Sequence, residues 1–576
     1  MPGPAPQRDA ILTALERLLA WSEMARSPQL AKFLDYIVRR TLDGDEQSIK
    51  AYSIAVDVLG RAAEFDPQSD PIVRVQARRL RGLLGDYYRG PGASETTRIN
   101  LPVGRYIPEF TIGEVSAAVT LGPAGPPPPV AETKTGGVTL TWFALAVMAL
   151  GIAAAGYGLS TWAPRQQDAA MAMGVLQQPS VTVVEFQNLA GPAGGGPAVS
   201  GLAIELVTDL EQFEDIDVRY GGGGDGNIAV ADLPTSDYVL TGIVRPDGLL
   251  VQYSAILTDS QTGAVVWNHT IPIAAIDAVD FRALDEVSRL LSLILGSPRG
   301  PLHTVAREVL AAAAPLEGGV NLYICRMLFD LYRETGTAAE AVRAGDCIAA
   351  LSETERQSAI GLAMLASLTA EHDDAADTAG ARADRFRMAE AGLNQAISMA
   401  PVSAFVWEQH ARLREGMAQF IEARTDYGSS IQLNPANADA LAAYARLLAF
   451  GGNLADAEAM AVAAEGTPNP PAWYRGVPAL IALRNGDYAK AIECAELYAE
   501  ADRELGPVLA ILAAQRAGDG AVVNRYLPQV LDVASFRARG VLTTLRDRIE
   551  DDALMEQIRS GLVAAGVPPN ALINGF

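Results

Sequence analysis

A chain of 576 residues is too long for one hydrophobic core and has to divide into several domains. The net charge of −23 is unevenly placed: through Ser116 there are 15 Lys plus Arg against 15 Asp plus Glu, and the remaining 30 against 53 carry the whole excess. The acidic bulk would be repelled by polyanions, so any nucleic-acid contact is confined to the neutral N-terminal part.

In chain order, Ala10 to Trp21 and Gln29 to Leu42 have the spacing of amphipathic helices. In the second, Leu30, Phe33, Leu34, Ile37 and Val38 form the apolar side. A third helix is predicted over about Ser48 to Leu59. The turn Asp66 to Pro71 then leads into Asp70 to Tyr88, DPIVRVQARRLRGLLGDYY. Asp70 suits the cap and Pro71 the first helical position. Val73, Ala77, Leu80 and Leu84 make a buried stripe, while Arg74, Arg78 and Arg81 fall on a second stripe, flanked by Gln76 and Arg79, so that guanidinium groups crowd the solvent side. That face suits phosphates and base edges. Thr97 to Phe110 reads as two short strands around Pro102 to Gly104, with Arg98 before the turn and Arg105 after it.

The stretch VRVQARRLRGLL at 73 to 84, followed by a hairpin ending in an aromatic at Tyr106, resembles the end of the winged-helix output domain of OmpR-type regulators and ToxR- or CadC-like membrane regulators. The resemblance implies that Gln76, Arg78, Arg79 and Arg81 face DNA. EFDPQSDPIVRV also resembles the N-terminal domains of bacterial membrane proteins that carry TolB-like and tetratricopeptide regions. The winged-helix unit is assigned to residues 7–111 and a Pro/Gly-rich tether, containing GPAGPPPPV, to 112–137.

Residues 138–162, VTLTWFALAVMALGIAAAGYGLSTW, lack charge and are long enough to cross a bilayer at ~1.5 Å per residue, with Trp142 and Trp162 placed for the two interfaces. The earlier apolar run, Ile11 to Ala20, is broken by Glu16 and Arg17, so the span is expected to be an uncleaved anchor. If residues before 112 read DNA, they are cytoplasmic and the chain beyond Arg165 is periplasmic, at a bacterial inner membrane. Residues 163–179 form a juxtamembrane link.

From Ser180 the pattern changes to strands. VTVVEF is a strand, Ser200 to Phe213 a helix, and DYVLTGIVRPDGLLVQYSAILTDSQTGAVVWNHTI three strands with turns at Pro246-Asp247-Gly248 and Thr262-Gly263. Val184, Phe186, Asn188, Leu189, Gly201, Leu202, Glu205, Leu206, Asp237, Tyr238, Leu240, Gly242, Leu257, Asp259, Thr262, Gly263 and Trp267 resemble the pattern of the TolB N-terminal-like domain. That resemblance implies an interaction or sensing module over 180–300 and no catalysis.

Residues 301–576 are alanine-rich helices. Pro401, Pro435 and Pro470 recur at spacings of 34 and 35, the tetratricopeptide period, which implies a solenoid that binds a protein or peptide. The glycine runs are not followed by Lys-Ser or Lys-Thr and so are not P-loops. His269, His303, His372 and His410 lie far apart, without metal spacing. No catalytic residue, metal or cofactor is assigned. Cys325 and Cys347 fall in consecutive predicted helices, where a bridge and free thiols are both open.

The fold class expected is therefore multidomain and mainly α: winged helix, one transmembrane helix, a small α/β TolB-like domain and a helical solenoid. The function expected is a membrane-anchored transcriptional regulator, dimeric on DNA. The alternative is a membrane-anchored scaffold for an envelope complex, with a protein-binding N-terminal domain.

Overall fold

The computed structural model describes residues 5–21, 24, 28–45, 48–58, 72–93, 95–102, 105–112, 176–189, 197–222, 235–280, 282–312, 319–371 and 379–576. The chain is mainly helical with a small sheet region. Among the described residues no helix is long and apolar enough to cross a membrane, and the apolar stretch 138–162 lies outside them.

The N-terminal unit comprises α1 (Ala5–Ala20), α2 (Pro28–Leu42), α3 (Ala51–Asp57), α4 (Ile72–Arg89), β1 (Thr97–Asn100) and β2 (Glu109–Ile112). One core joins them, with Leu15, Leu18, Phe33, Leu34, Ile37, Ile54 and Ile99 all buried. The predicted stripe of α4 is in place, since Val73, Ala77, Leu80 and Leu84 are buried there. The hairpin differs from the sequence reading. β1 and β2 pair antiparallel from Thr97↔Ile112 to Asn100↔Glu109, so the ladder ends well short of the predicted turn at Pro102 to Gly104. Pro102 and Pro108 explain this, because neither supplies a backbone donor to a ladder.

The second unit is a six-stranded sheet of β3 (Ser180–Val183), β4 (Gln187–Asn188), β5 (Asp217–Tyr220), β6 (Tyr238–Asp247), β7 (Leu250–Asp259) and β8 (Val265–Ala274), ordered β5-β3-β6-β7-β8 with β4 beside β6. Alternate residues Val251, Tyr253, Ala255 and Leu257 point to a buried face covered by α5 (Leu202–Leu210) and α6 (Arg282–Leu295). Gly242 is needed because the Phe186 ring lies where its Cβ would stand, and Gly248 takes a positive φ of 62° in the β6–β7 turn. The three predicted strands of 237–271 match β6, β7 and β8. β5 and α6 had no place in the sequence reading.

The remaining helices are α7 (Thr304–Ala311), α8 (Leu322–Thr335), α9 (Ala338–Ala350), α10 (Glu353–Arg356), α11 (Ala359–Glu371), α12 (Ala379–Met399), α13 (Ala404–Gly416), α14 (Phe420–Leu433), α15 (Ala438–Phe450), α16 (Leu454–Glu465), α17 (Gly476–Asn485), α18 (Tyr488–Ala501), α19 (Leu505–Ala517), α20 (Gly520–Asp532), α21 (Ala534–Arg539), α22 (Val541–Leu545), α23 (Asp552–Ala564) and α24 (Pro569–Ile573). From α13 to α20 they pack as successive pairs joined by short turns. Side chains of Ser403, Asn437, Asp487 and Asp519 accept bonds from first-turn N–H groups and so fix where helices start. Pro401 and Pro435 fall between pairs, as their spacing suggested. Cys325 and Cys347 are joined in a disulfide between α8 and α9, with α-carbons 5.4 Å apart, which decides between the two states the sequence left open.

Candidate nucleic-acid interface and a buried polar cleft

The sequence placed seven residues at a DNA-facing surface, and the structure divides them. Gln76 is buried, and Arg81 has a side chain only 11% exposed, so neither belongs to an open face of α4. For Arg81 the reason lies just beyond the end of β1. Arg81 Nε donates to the Leu101 carbonyl at 3.1 Å and Nη2 to the Pro102 carbonyl at 3.2 Å, filling acceptors that a tighter hairpin would satisfy itself. The same guanidinium lies 3.5 Å from the buried carboxylate of Glu205 on α5.

Arg98 is exposed. It donates to the Ala93 carbonyl at 3.0 Å and sits 5.4 Å from the centre of the Tyr88 ring. Arg105 is 62% exposed, with Glu109 at 3.0 Å. The side chains of Arg74, Arg78 and Arg79 lie outside the described residues, although the backbone of α4 is described there. Two tyrosines that the sequence reading did not use fasten the hairpin. Tyr88 Oη accepts from the Ile99 N–H at 2.8 Å, and Tyr87 Oη donates to Glu95 at 2.8 Å. Burial pushes both phenols up to about 12.

A second concentration of charge lies where the sheet unit meets the helices. Arg299, in the loop after α6, reaches Asp439 on α15 at 3.0 Å and the Tyr474 hydroxyl at 2.8 Å, with its side chain 1% exposed. Beside it, Asp215 lines a cleft together with residues of α8, α13 and α15. Ser403 Oγ donates to Glu214 at 2.7 Å. Arg326 bonds Asp330 at 3.1 Å and stacks 3.6 Å from the Phe405 ring centre. His303 Nε2 lies 4.0 Å from Asp215, and its Nδ1 lies 3.0 Å from the Tyr323 hydroxyl. Burial pushes Asp215 up to about 6 and Asp330 up to about 7, against the pull of Arg326. Burial also holds the His303 imidazole down to about 3, with Arg326 and Arg307 adding to the effect.

The juxtamembrane link is tied here at its C-terminal end. The Leu176 carbonyl accepts from Asn321 at 2.8 Å, and its side chain packs on the helical core. Sequence periodicity finds amphipathic faces, and these contacts are polar pairings over 140 or so residues, which leave no local signal. His269 is exposed and stacked on Trp267, His410 is buried against Asp426, and His372 lies outside the described residues. Among the described residues no group of three or more His, Cys, Asp or Glu side chains is placed to hold a metal ion.

No family model and no curated protein matches the chain. Among solved structures, TolB from Acinetobacter baumannii is similar at 17% identity over 21% of this chain and 28% of its own, with a TM-score of 0.14. A PelC dodecamer from Paraburkholderia phytofirmans is similar at 22% identity over 21% of this chain and 90% of its own, with a TM-score of 0.16. This chain thus spans little more than a quarter of the TolB structure, and at these scores neither likeness supports an argument.

Proposed function

We propose that the chain is a single-pass inner-membrane regulator whose N-terminal winged-helix domain binds DNA and whose TolB-like and tetratricopeptide-like region binds a partner protein or signal. The observation that carries this reading is the helix α4 followed by a hairpin fastened to it through Arg81 and Tyr88. That is the order a winged-helix domain needs to present a helix and a wing together. Arg74, Arg78, Arg79, Arg98 and Arg105 are the DNA-contacting set in this reading, with Arg81 moved to the role of holding the wing. Residues 138–162 are the membrane span. The test is binding of the full-length chain to duplex DNA across a salt series. Arg78→Ala with Arg79→Ala should weaken it, and absence of salt-sensitive binding by the unaltered chain would refute the reading.

The second reading is a membrane-anchored scaffold whose N-terminal domain binds protein, and the withdrawal of Gln76 and Arg81 from the open face of α4 favours it. The approach of Arg81 to Glu205 needs both units on one side of any membrane, so a crossing by residues 138–162 would break it in either reading. Cysteines placed at 81 and 205 in the full-length chain, with Cys494→Ala, test that crossing. Cross-linking in native membranes rejects it, whereas a periplasm-active reporter after Arg165 without cross-linking supports it; salt-sensitive DNA binding separates the regulator from the scaffold.

A further inference from the structure

The helices that open the tandem turn polar faces onto the sheet unit, so that part of the helical surface is already taken. An open groove lies at the other end. On α18, Glu493, Glu496 and Glu500 share one wall, facing Arg525 and Gln529 of α20 across a space of about 520 Å³. Glu496 is matched by Arg525 at 2.7 Å. Glu493 and Glu500 are exposed and carry no ion-pair or hydrogen-bond partner among the described residues. Gln529 also borders a second space of about 910 Å³, whose walls are largely apolar: Pro528, Leu531, Pro568, Ala571 and Phe576. Phe576 is 45% exposed there. The two spaces adjoin at Gln529: the first holds the unmatched carboxylates, and the second has largely apolar walls, the exposed Arg537–Asp532 pair at its edge and an open aromatic.

We propose that this groove docks a basic amphipathic helix of a partner protein, with its cations on Glu493 and Glu500 and its apolar end against Pro528, Leu531 and Phe576. The proposal rests on the reading that the helical region binds a partner protein. Charge complementarity selects the occupant. Two carboxylates seven positions apart on a helix are two turns, ~10 Å, apart, which matches cations at i and i+7 on a partner helix. An acidic segment would meet like charge, and an apolar helix without cations would leave the anionic end unmatched.

The probe is a synthetic helical peptide with two lysines seven residues apart and a leucine–phenylalanine pair beyond them, titrated against the full-length chain by fluorescence anisotropy. Glu493→Gln with Glu500→Gln should weaken binding ~10-fold at low salt, about 1.4 kcal/mol, and flatten its salt dependence. Phe576→Ala should weaken it while leaving the salt dependence in place. A peptide with glutamates in place of the lysines should bind only Glu493→Lys with Glu500→Lys, a rescue that misfolding cannot imitate. No binding of the lysine peptide, or equal binding of both peptides to the unaltered chain, overturns the proposal. Binding that none of these substitutions moves overturns this groove alone and leaves the protein-binding reading of the helical region standing.

Discussion

On α8 and α13, Arg326, Arg333 and Arg412 have side chains 12%, 10% and 10% exposed, and each bonds a carboxylate: Asp330, Glu371 and Glu408. At the N-terminal hairpin, Arg105 is 62% exposed and Arg98 bonds a carbonyl and stacks on a tyrosine. The residue type is the same and the physical setting is opposite. A desolvated guanidinium is tied to its partner, because removing either one strands a buried charge. An exposed guanidinium gives up little when it exchanges its present contact for a phosphate. Arginine density alone therefore does not locate a binding face, whereas exposure and pairing do.

The strongest way to break that contrast is to remove one buried cation. Arg299→Ala leaves the buried Asp439 carboxylate with the Tyr474 hydroxyl as donor at 2.8 Å but without the guanidinium paired to it, and truncations of this kind cost about 3–5 kcal/mol. A lower urea midpoint for loss of contact between the sheet unit and the helices, followed by hydrogen exchange at 297–303, is the expected result. An unchanged midpoint would mean that this pair does not hold the two units together.

Titration of the cleft gives the next effect. Asp330 is raised from 3.8 to about 7 by burial, so the folded protein holds a proton that the unfolded chain releases. Its contribution is present below about 4 and lost as pH rises through 7. Asp215, raised to about 6, acts in the same direction. His303, lowered from 6.5 to about 3, acts in the opposite one: its contribution is present above 6.5 and lost as pH falls. Between pH 4 and 6.5 the groups oppose one another, and above 6.5 Asp330 alone continues to change. Hydrogen exchange at 211–216, corrected for intrinsic rate, should therefore speed up between pH 6.5 and 7.5. Asp330→Asn should remove that rise, and a rise that persists in the variant would refute the assignment.

How much of this was legible in the sequence follows from the range of each interaction. The stripe of Val73, Ala77, Leu80 and Leu84 was readable because helical period and burial repeat within a few turns. The strands β6 to β8 were readable from alternation and from the glycines of their turns. The position of Arg81 was not, because its acceptors at Leu101 and Pro102 lie 20 and 21 residues further along the chain. Nor could spacing reveal that Glu214, Asp215 and Arg299 meet α8, α13 and α15. The short β5 lacks a long alternating run, and its pairing with β3 depends on a partner some 40 residues away.

Two substitutions with smaller effects test where the proposed DNA-contacting set ends. Removing Arg78 and Arg79 together should lower the slope of log affinity against log salt by about 2, roughly one per phosphate contact, with no loss of fold. Arg81→Ala should act differently. It deletes two hydrogen bonds to the 101–102 backbone, worth about 1–3 kcal/mol together, and so should raise hydrogen exchange across 97–112. Its salt slope should stay close to that of the unaltered chain, because the guanidinium is held inside the protein and contributes no phosphate contact. If Arg81→Ala instead lowers the slope as Arg78 and Arg79 do, Arg81 leaves its carbonyls to meet DNA. The division between arginines held inside the protein and those proposed to contact DNA would then fail at the residue where it is drawn most finely.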